Sequence, residues 1–520
     1  MESIEQTFNG TGDFGRKVQC PVVRNGDLIT KMYLRASIAA GSTNAISTGI
    51  YSRAQWAWVS SLGHALIDNV ELEIGGTRID KHWGEWLTIW NELTRKIGQD
   101  RGYAKMIGNV PELTVLAESH PAYTLWVPMR FFFCRFDGLA LPLIALQYHE
   151  VRVNFEFRPI ENCLVFEAGS GRSGKGLASA LGLQLNDCSL YVDYIYLDSE
   201  ERKRFAQASH EYLIEALQFP GEESVTGEQS RFRLNLNHPC KLLAWVNKLG
   251  RYTSANNFLA YHPTDLDNTR LSATKRFVLK YGKEAGSGFV ETDSYGAIKA
   301  GASSLNTIFA NINAVAIATS SGNSAVADME NITILGELLP VDFISTPVSK
   351  LPASVTFDSG SSFTSLTYTV VATGGDGAAA KDVAVTQWDN FGLQVDRSEN
   401  SVTKGLLQLN GQDRFSEREG QYFNYCQPWQ HFSNTPADGI NVYSFALNPE
   451  EHQPSGTCNF SRIDNATLAV TFGRINNISG TAETGFKTNY LGDDSMFSVY
   501  AVNYNVLRVM SGMAGLAYSN

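Results

Sequence analysis

The chain of 520 residues carries 42 Lys and Arg against 53 Asp and Glu, a formal net charge of −11, so no global positive field draws it to nucleic acid. With 43% hydrophobic and 18% charged residues it is a folded globular chain and not a disordered one. Its length exceeds what one core holds, which implies roughly two to four domains, and its 45 glycines and 11% aromatics suit an all-β protein rich in turns.

The opening Met1 to Glu5 has neither the basic nor the apolar region of a secretory signal, and no apolar run approaches the roughly 20 residues that span a bilayer. The seven cysteines, Cys20, Cys134, Cys163, Cys188, Cys240, Cys426 and Cys458, are scattered and never form a C-x-x-C pair. They read as buried thiols in a reducing compartment. Within residues 1–40, Asn9-Gly10 and Asn25-Gly26 separate short alternating runs, which predicts hairpins. Val70 to Asp80 sets Gly75-Gly76 between two more strands. Trp83, Trp86, Leu87, Trp90, Leu93 and Ile97 then fall at helical spacing, predicting a helix over about 81–97 with Asp80 as N-cap and Gly98 as stop. A tryptophan stripe at this spacing reads as core packing, not as a cofactor box.

Leu125 to Cys134 leads into the stretch that organises the rest, Gly138 to Phe157, where the longest apolar run joins a clean alternation. Val151, Val153, Phe155 and Phe157 share one face and Arg152, Asn154, Glu156 and Arg158 the other, the period of a half-buried antiparallel strand. Pro142 marks a strand start or edge. Ser189 to Asp198 alternates again. Asp198 then precedes a short charged helix, Glu200-Glu201-Arg202-Lys203-Arg204, with Glu201 three residues after the cap position and its charges forming a solvated face. Residues 209–230 read as a linker.

Arg231 to Trp245 predicts a further alternating strand. From about 249 to 404 the texture changes to Ser, Gly, Thr and Ala, with short strand candidates at Arg276–Tyr281 and Ser365–Val371. Too long for a plain loop, this is a β-rich insertion on the surface of the second domain. Three earlier blocks then return in order: Leu406–Phe415 repeats Glu71–Asp80, Pro454–Phe472 repeats the organising stretch, and Val499–Leu507 repeats Leu190–Asp198. The duplication predicts an all-β fold of two consecutive eight-stranded antiparallel jelly rolls, 1–208 and 231–520, with short helices in loops.

Chemistry-bearing motifs are sparse. Gly169 to Gly176 nearly forms a phosphate loop, since Gly169, Gly174 and Lys175 have the spacing, but Gly176 stands where a magnesium-binding hydroxyl belongs. The alternating surroundings also lack the parallel α/β core such a loop needs. None of the nine histidines forms a helical ligand pair, and His149-Glu150 sits on an alternating strand as a structural histidine. No G-x-S-x-G elbow occurs, and Cys134 has no recognisable nucleophile motif around it. No catalytic, cofactor-binding or metal residue is expected. Of the sequons at Asn9, Asn331, Asn459, Asn465 and Asn477, Asn459 and Asn465 fall on a predicted core strand, leaving Asn331 and Asn477 as candidate glycan sites.

Residues Arg24–Ile29, Val70–His82, Gly138–Val151, Tyr196–Gln207 and His210–Phe219 resemble the first domain of the major capsid proteins of nucleocytoplasmic large DNA viruses. Leu409–Phe415, Gln453–Leu468 and Asn503–Tyr518 are similar to the second, nearest the algal-virus branch. The resemblance implies a double jelly roll whose homotrimer is a pseudo-hexagonal capsomer, tiling an icosahedral shell over an internal membrane. It implies contacts with neighbouring capsomers and minor capsid proteins, assembly in the host cytoplasm, and neither enzymatic activity nor direct nucleic-acid binding. Family members carry a further segment before the position of Glu2-Ser3-Ile4, which leaves inner-surface contacts to that segment. The 249–404 insertion exceeds that of the algal members and is expected to form an outward tower open to a host surface or glycan. Two other readings compete: a carbohydrate-binding jelly roll, and a nucleotide hydrolase using Lys175.

Overall fold

The computed structural model describes residues 1–248, 391–392, 400–472 and 495–518, less 97, 116, 168–171, 226 and 228, together with the backbone of strands lying between 277 and 384. The first sandwich contains β1 (Glu2–Thr7), β2 (Lys17–Pro21), β3 (Leu28–Ile38), β4 (Ile67–Ile74), β5 (Thr77–Trp83), β6 (Tyr123–Pro128), β7 (Leu141–Pro142), β8 (Val151–Phe157) and β9 (Leu185–Ile195). One sheet runs β1-β9-β3-β7, with β6 also on β3, and the facing sheet runs β2-β8-β4-β5. The second sandwich contains β10 (His210–Gln218), β11 (Gln229–Arg233), β12 (Pro239–Lys248), β13 (Val402–Leu409), β14 (Gln412–Asp413), β15 (Arg418–Glu419), β16 (Asn441–Ser444), β17 (Cys458–Asn459), β18 (Ala466–Phe472) and β19 (Met496–Met510). Its sheets run β10-β19-β12-β16, with β17 on β12, and β11-β18-β13-β14, with β15 on β13. The central strand orders are the same, with β6 and β7 on β3 matched by β16 and β17 on β12, and the second sandwich adds Glu222–Ser224 and Met513–Leu516 on β19. All pairings within these four sheets are antiparallel, and the fold is a double jelly roll.

The organising stretch sits at the centre of this pattern. In β8, Val151, Val153, Phe155 and Phe157 are buried while Arg152, Asn154 and Glu156 are half-buried, and β18 repeats the alternation. Arg158 departs from it: just past the strand, its guanidinium is buried beside Glu85. Pro142 lies in β7 at the sheet edge, where a missing N–H is tolerated.

Several expectations change. The turns at Asn9-Gly10 and Asn25-Gly26 do not close hairpins, because β1 and β3 belong to one sheet and β2 to the other; the chain crosses the sandwich at each turn. The 209–230 segment is no linker, since it holds β10, the strand Glu222–Ser224 and the start of β11. Arg231 to Trp245 is two strands in different sheets, broken at His238, whose φ of 64° precedes Pro239. Residue 402 already pairs in β13, so the insertion occupies the connection from β12 to β13 and ends at 401. Strands Phe277–Lys283 and Leu366–Val371 fall on its two strand candidates.

Four helices matter below: α1 (Gly84–Thr94), α2 (Gly174–Leu181), α3 (Ser199–Gln207) and α4 (Gln427–His431), the last entered through a π-turn at Tyr422–Cys426. Helix α3 starts after Asp198 as expected and buries none of its residues. Helix α1 is shorter than predicted: Trp83 ends β5 and is the N-cap, and Arg95 follows the last helical turn. Ile97, Asn331 and Asn477 lie outside the described residues.

Candidate functional site at the junction of the two sandwiches

The tryptophan stripe fills a space, but not inside its own sandwich. Among the described residues of that stripe Leu87 alone joins the main core, whereas Trp86, Trp90 and Leu93, with Ile89 beside them, pack with Leu217, Leu242, Ala244, Val246, Tyr500 and Val502 of the second sandwich. Strand β12 is therefore covered on both sides. Leu243 and Trp245 face the inner core; Leu242, Ala244 and Val246 face α1. That is why Leu242–Val246 forms an unbroken apolar run within the strand, as doubly buried strands do. Aromatic rings continue the contact: Tyr500 stacks on Phe219 at 4.6 Å and lies 5.7 Å from Trp86, and each large side chain so buried contributes about 1.5–3 kcal/mol.

Polar groups lock the same surface in place. Glu85, in the first turn of α1, receives Lys248 Nζ at 2.6 Å and the Tyr500 hydroxyl at 2.8 Å, with Arg158 Nη2 at 3.5 Å. Lys248 also contacts Glu222. Burial by itself would raise the Glu85 carboxyl, but the Lys248 and Arg158 cations outweigh it and hold the group below its usual range. Burial also opposes the charge on Lys248, and Glu85 and Glu222 reverse that, leaving the ammonium raised. The Tyr500 hydroxyl is pushed well up by burial and by Glu85.

A second ionic group lies beside the first. Arg135 of the first sandwich donates from Nη1 to Glu215 of β10 at 2.5 Å and lies over the Trp90 ring at 4.1 Å. Lys241 of β12 reaches Glu215 Oε1 at 2.5 Å, off the hydrogen-bonding direction. Burial, helped by the neighbouring Arg135 charge, pushes the Lys241 ammonium down to about 7 despite Glu215. An amine lowered in the fold binds fewer protons than in the unfolded chain, so its penalty is present below about pH 7 and fades as pH rises towards 10.5. Stability should therefore climb through that window by more in the parent protein than in Lys241→Met. Urea titrations of both at pH 6.5 and 9.5 measure this, and equal slopes would refute it.

Asp80 is not a helix cap. Its carboxylate, buried in β5, accepts the Leu217 amide of β10 at 3.0 Å and pairs with His82 Nε2 at 2.9 Å. At the other end of α1, Asn434 from the second sandwich donates its amide to Leu93 O at 3.1 Å and its side chain to Glu92 O at 2.8 Å. These meet carbonyls that a helix C-terminus leaves unpaired. Helix α1 is thus started by one sandwich and finished by the other. Sequence reasoning found its apolar stripe and missed its destination; the paired signal was the acidic and basic residues interleaved with apolar ones at Glu85, Glu215, Lys241 and Lys248.

The other singled-out residues do not gather into a site. Lys175 is exposed on α2, and the preceding strand Leu164–Glu167 pairs antiparallel with Trp56–Trp58. Gly176 is glycine for packing reasons, because a Cβ there would sit 2.1 Å from the Tyr51 hydroxyl. Gly169 lies outside the described residues. His149 is in the loop before β8, not on it, and accepts the Ala514 amide at 3.1 Å. Asn459 ends a short strand and accepts the Ser461 amide, and Asn465 is exposed before β18, so neither lies within a core strand. All seven cysteines are free thiols, and Cys426 is exposed where a buried one was expected.

Residues 201–515 match the family model described as large eukaryotic DNA virus major capsid protein, and residues 1–198 match that for the major capsid protein N-terminus. The chain belongs to the major capsid proteins of large eukaryotic DNA viruses. It is 42% identical to the major capsid protein of Phaeocystis pouchetii virus, covering 100% of this chain and 93% of that one. Capsid protein 1 of Acanthamoeba polyphaga mimivirus is 39% identical over 100% of this chain and 94% of its own length. Among solved structures, the quasi-atomic model of the PBCV-1 virus capsid matches with a TM-score of 0.62 and 32% identity, covering 100% of this chain and 96% of that one. As a capsid protein the chain has a structural role in the virion, and the junction is where that role imposes a demand. A shell subunit built of two like sandwiches must hold them at one fixed angle, which the buried helix and the ionic groups do. The carbohydrate-binding and nucleotide-hydrolase readings have no support in these matches.

Proposed function

We propose that this capsid protein assembles as a homotrimer whose six jelly rolls make a pseudo-hexagonal capsomer, and that such capsomers tile an icosahedral shell. The observation that carries it is the identical central strand order of two sandwiches fixed side by side by α1. A threefold ring of such chains gains near-sixfold packing from one gene product. Neighbouring capsomers, minor capsid proteins and a nearby inner membrane are the partners this assembly implies. The chain acts by shape and catalyses nothing, and Lys175 has no nucleotide to serve. The domains are 1–208 and 231–520 with β10 joining the second. The insertion that begins at 249 forms an outward tower, the part of the surface open to a host or glycan and the location of candidate site Asn331, while Asn477 lies between β18 and β19.

Light scattering with negative-stain imaging tests this. A trimer is expected near roughly 172 kDa, three times 57.2 kDa, with a hexagonal outline. A stable monomer at micromolar concentration overturns the capsomer. Deleting 249–401 and joining the ends with a short turn is expected to preserve the trimer, because loops at sheet ends tolerate length changes; a deletant that stays monomeric would refute the tower.

A further inference from the structure

The helices that follow β5 in the first sandwich and β15 in the second are counterparts, and only one of them is seated. Ile67 of β4 pairs with Phe157 of β8, and Val402 of β13 pairs with Phe472 of β18. A Cβ on Gly84 would lie 2.3 Å from Ile67 O; a Cβ on Gly420 would lie 1.8 Å from Val402 O. Each glycine thus lets the chain turn into a helix across the same point of the same strand pair. Counted from these glycines, Leu87 corresponds to Phe423, and both are buried in the core of their own sandwich.

The outward faces differ. Trp86, Ile89, Trp90 and Leu93 of α1 are buried on the second sandwich. Their counterparts are Tyr422, Tyr425, Cys426 and Trp429. Tyr425 is 38% exposed, Trp429 is 79% exposed, and Cys426 is exposed as well. Tyr422 is half-buried against the core of its own sandwich and the Tyr425 hydroxyl donates to Asp438, so the open part of this face is Tyr425, Cys426 and Trp429.

The sheet that α1 covers also has an open counterpart. Ala244 pairs with Tyr500 and Trp245 with Val499, as Tyr33 pairs with Tyr191 and Leu34 with Leu190. Leu242, Ala244, Val246, Tyr500 and Val502 therefore correspond to Lys31, Tyr33, Arg35, Tyr191 and Asp193. These five side chains are only half-buried, and Trp126 of β6 lies 4.8 Å from Tyr191 on the same face.

A chain with one covered and one open copy of a sheet face, and one seated and one unseated helix, is complementary to itself head to tail. Such a contact closes into a ring when its rotation permits. We propose that Tyr422–His431 docks on the outer face of β3 and β9 in a second copy of this chain, with Trp429 and Tyr425 against Tyr33, Trp126 and Tyr191. The partner face is aromatic and charged where the internal one is aliphatic. That suits a surface wetted before assembly and buried afterwards, where Trp, Tyr and Arg carry most of the affinity.

This docking rests on the capsomer reading, and the test separates the two. Sedimentation velocity across a concentration series is run on the parent protein, on Trp429→Ala, on Tyr33→Ala combined with Trp126→Ala, and on Tyr518→Ala as an exposed aromatic control. Both docking-face variants are expected to raise the half-assembly concentration at least about tenfold, with the monomer's thermal transition unchanged in Trp429→Ala. Tyr518→Ala should match the parent. If the parent is itself monomeric, the capsomer reading falls and takes this proposal with it. If the parent is a trimer and Trp429→Ala assembles equally tightly, the docking proposal is wrong and the capsomer stands.

Discussion

Replacing Glu85 with alanine is expected to cost about 3–5 kcal/mol of stability, the usual penalty for breaking a buried ion group by removing one partner. The Glu85 side chain is 7% exposed, and Lys248 and Arg158 are 8% exposed each, so water cannot take its place. Lys248 would keep Glu222 and Arg158 would keep Asp68, both on the more exposed side of the junction. Glu85→Gln should lose less, because an amide still accepts from the Tyr500 hydroxyl. Combining Glu85→Leu with Lys248→Met should recover most of the loss, since a well-packed apolar pair replaces buried charges at little net cost. Acid gives an independent check. A carboxyl held below its ordinary 4.5 lends stability that is present above that value and lost as pH falls through the lowered one. The gap between parent and Glu85→Gln should therefore close in strongly acidic solution. Urea unfolding at pH 7 and pH 2.5 measures both effects, and a Glu85→Ala loss under about 1 kcal/mol at pH 7 would show that the junction is not held this way.

The duplicated strands were legible because their faces differ. Each of β8 and β18 has one face in the core and one half-exposed, so polarity alternates with period two and three repeated blocks can be aligned by eye. The junction was hidden because burial on both sides erases alternation: β12 shows buried residues from Cys240 to Lys248 with no polar face to set the register. The same burial misassigned β10, whose buried Glu215 looks like a surface residue in a linker. Asp80 was misread for a related reason. An aspartate before a helix suggests a local cap, yet this one accepts an amide 137 positions away in sequence, and no local rule reports a tertiary partner. The crossings at Asn9-Gly10 and Asn25-Gly26 show the limit of turn chemistry, which marks where the chain bends without saying which sheet it enters.

Alanine at Gly84 or Gly420 is expected to be among the most damaging single changes in the chain, at about 4 kcal/mol or more, because the methyl group would meet a backbone oxygen that cannot rotate away. Relief requires lifting the helix off its strand. For Gly84 that withdraws Leu87 from the first core and the Trp86 and Trp90 rings from the second sandwich, so the sandwiches should separate and unfold in two steps. For Gly420 the internal junction is reached only at its edge, through Phe432 and Asn434, which follow α4 and meet the end of α1. Phe423 is drawn from the second core, and the exposed face bearing Trp429 is displaced, so the loss should fall on the second sandwich and on assembly. Gly102 supplies the contrast: it lies in the helix Asp100–Met106, and a Cβ there meets nothing within 4 Å. Gly102→Ala should gain about 0.4–1 kcal/mol from the reduced freedom of the unfolded chain. Calorimetric scans of the three variants distinguish these outcomes. Two resolved transitions for Gly84→Ala with a single destabilised one for Gly420→Ala would establish that the glycines hold corresponding helices with different partners, one within the chain and one outside it. A Gly420→Ala protein as stable as Gly102→Ala would break the correspondence, because no chain can hold a Cβ that close to a carbonyl without moving the helix that carries it.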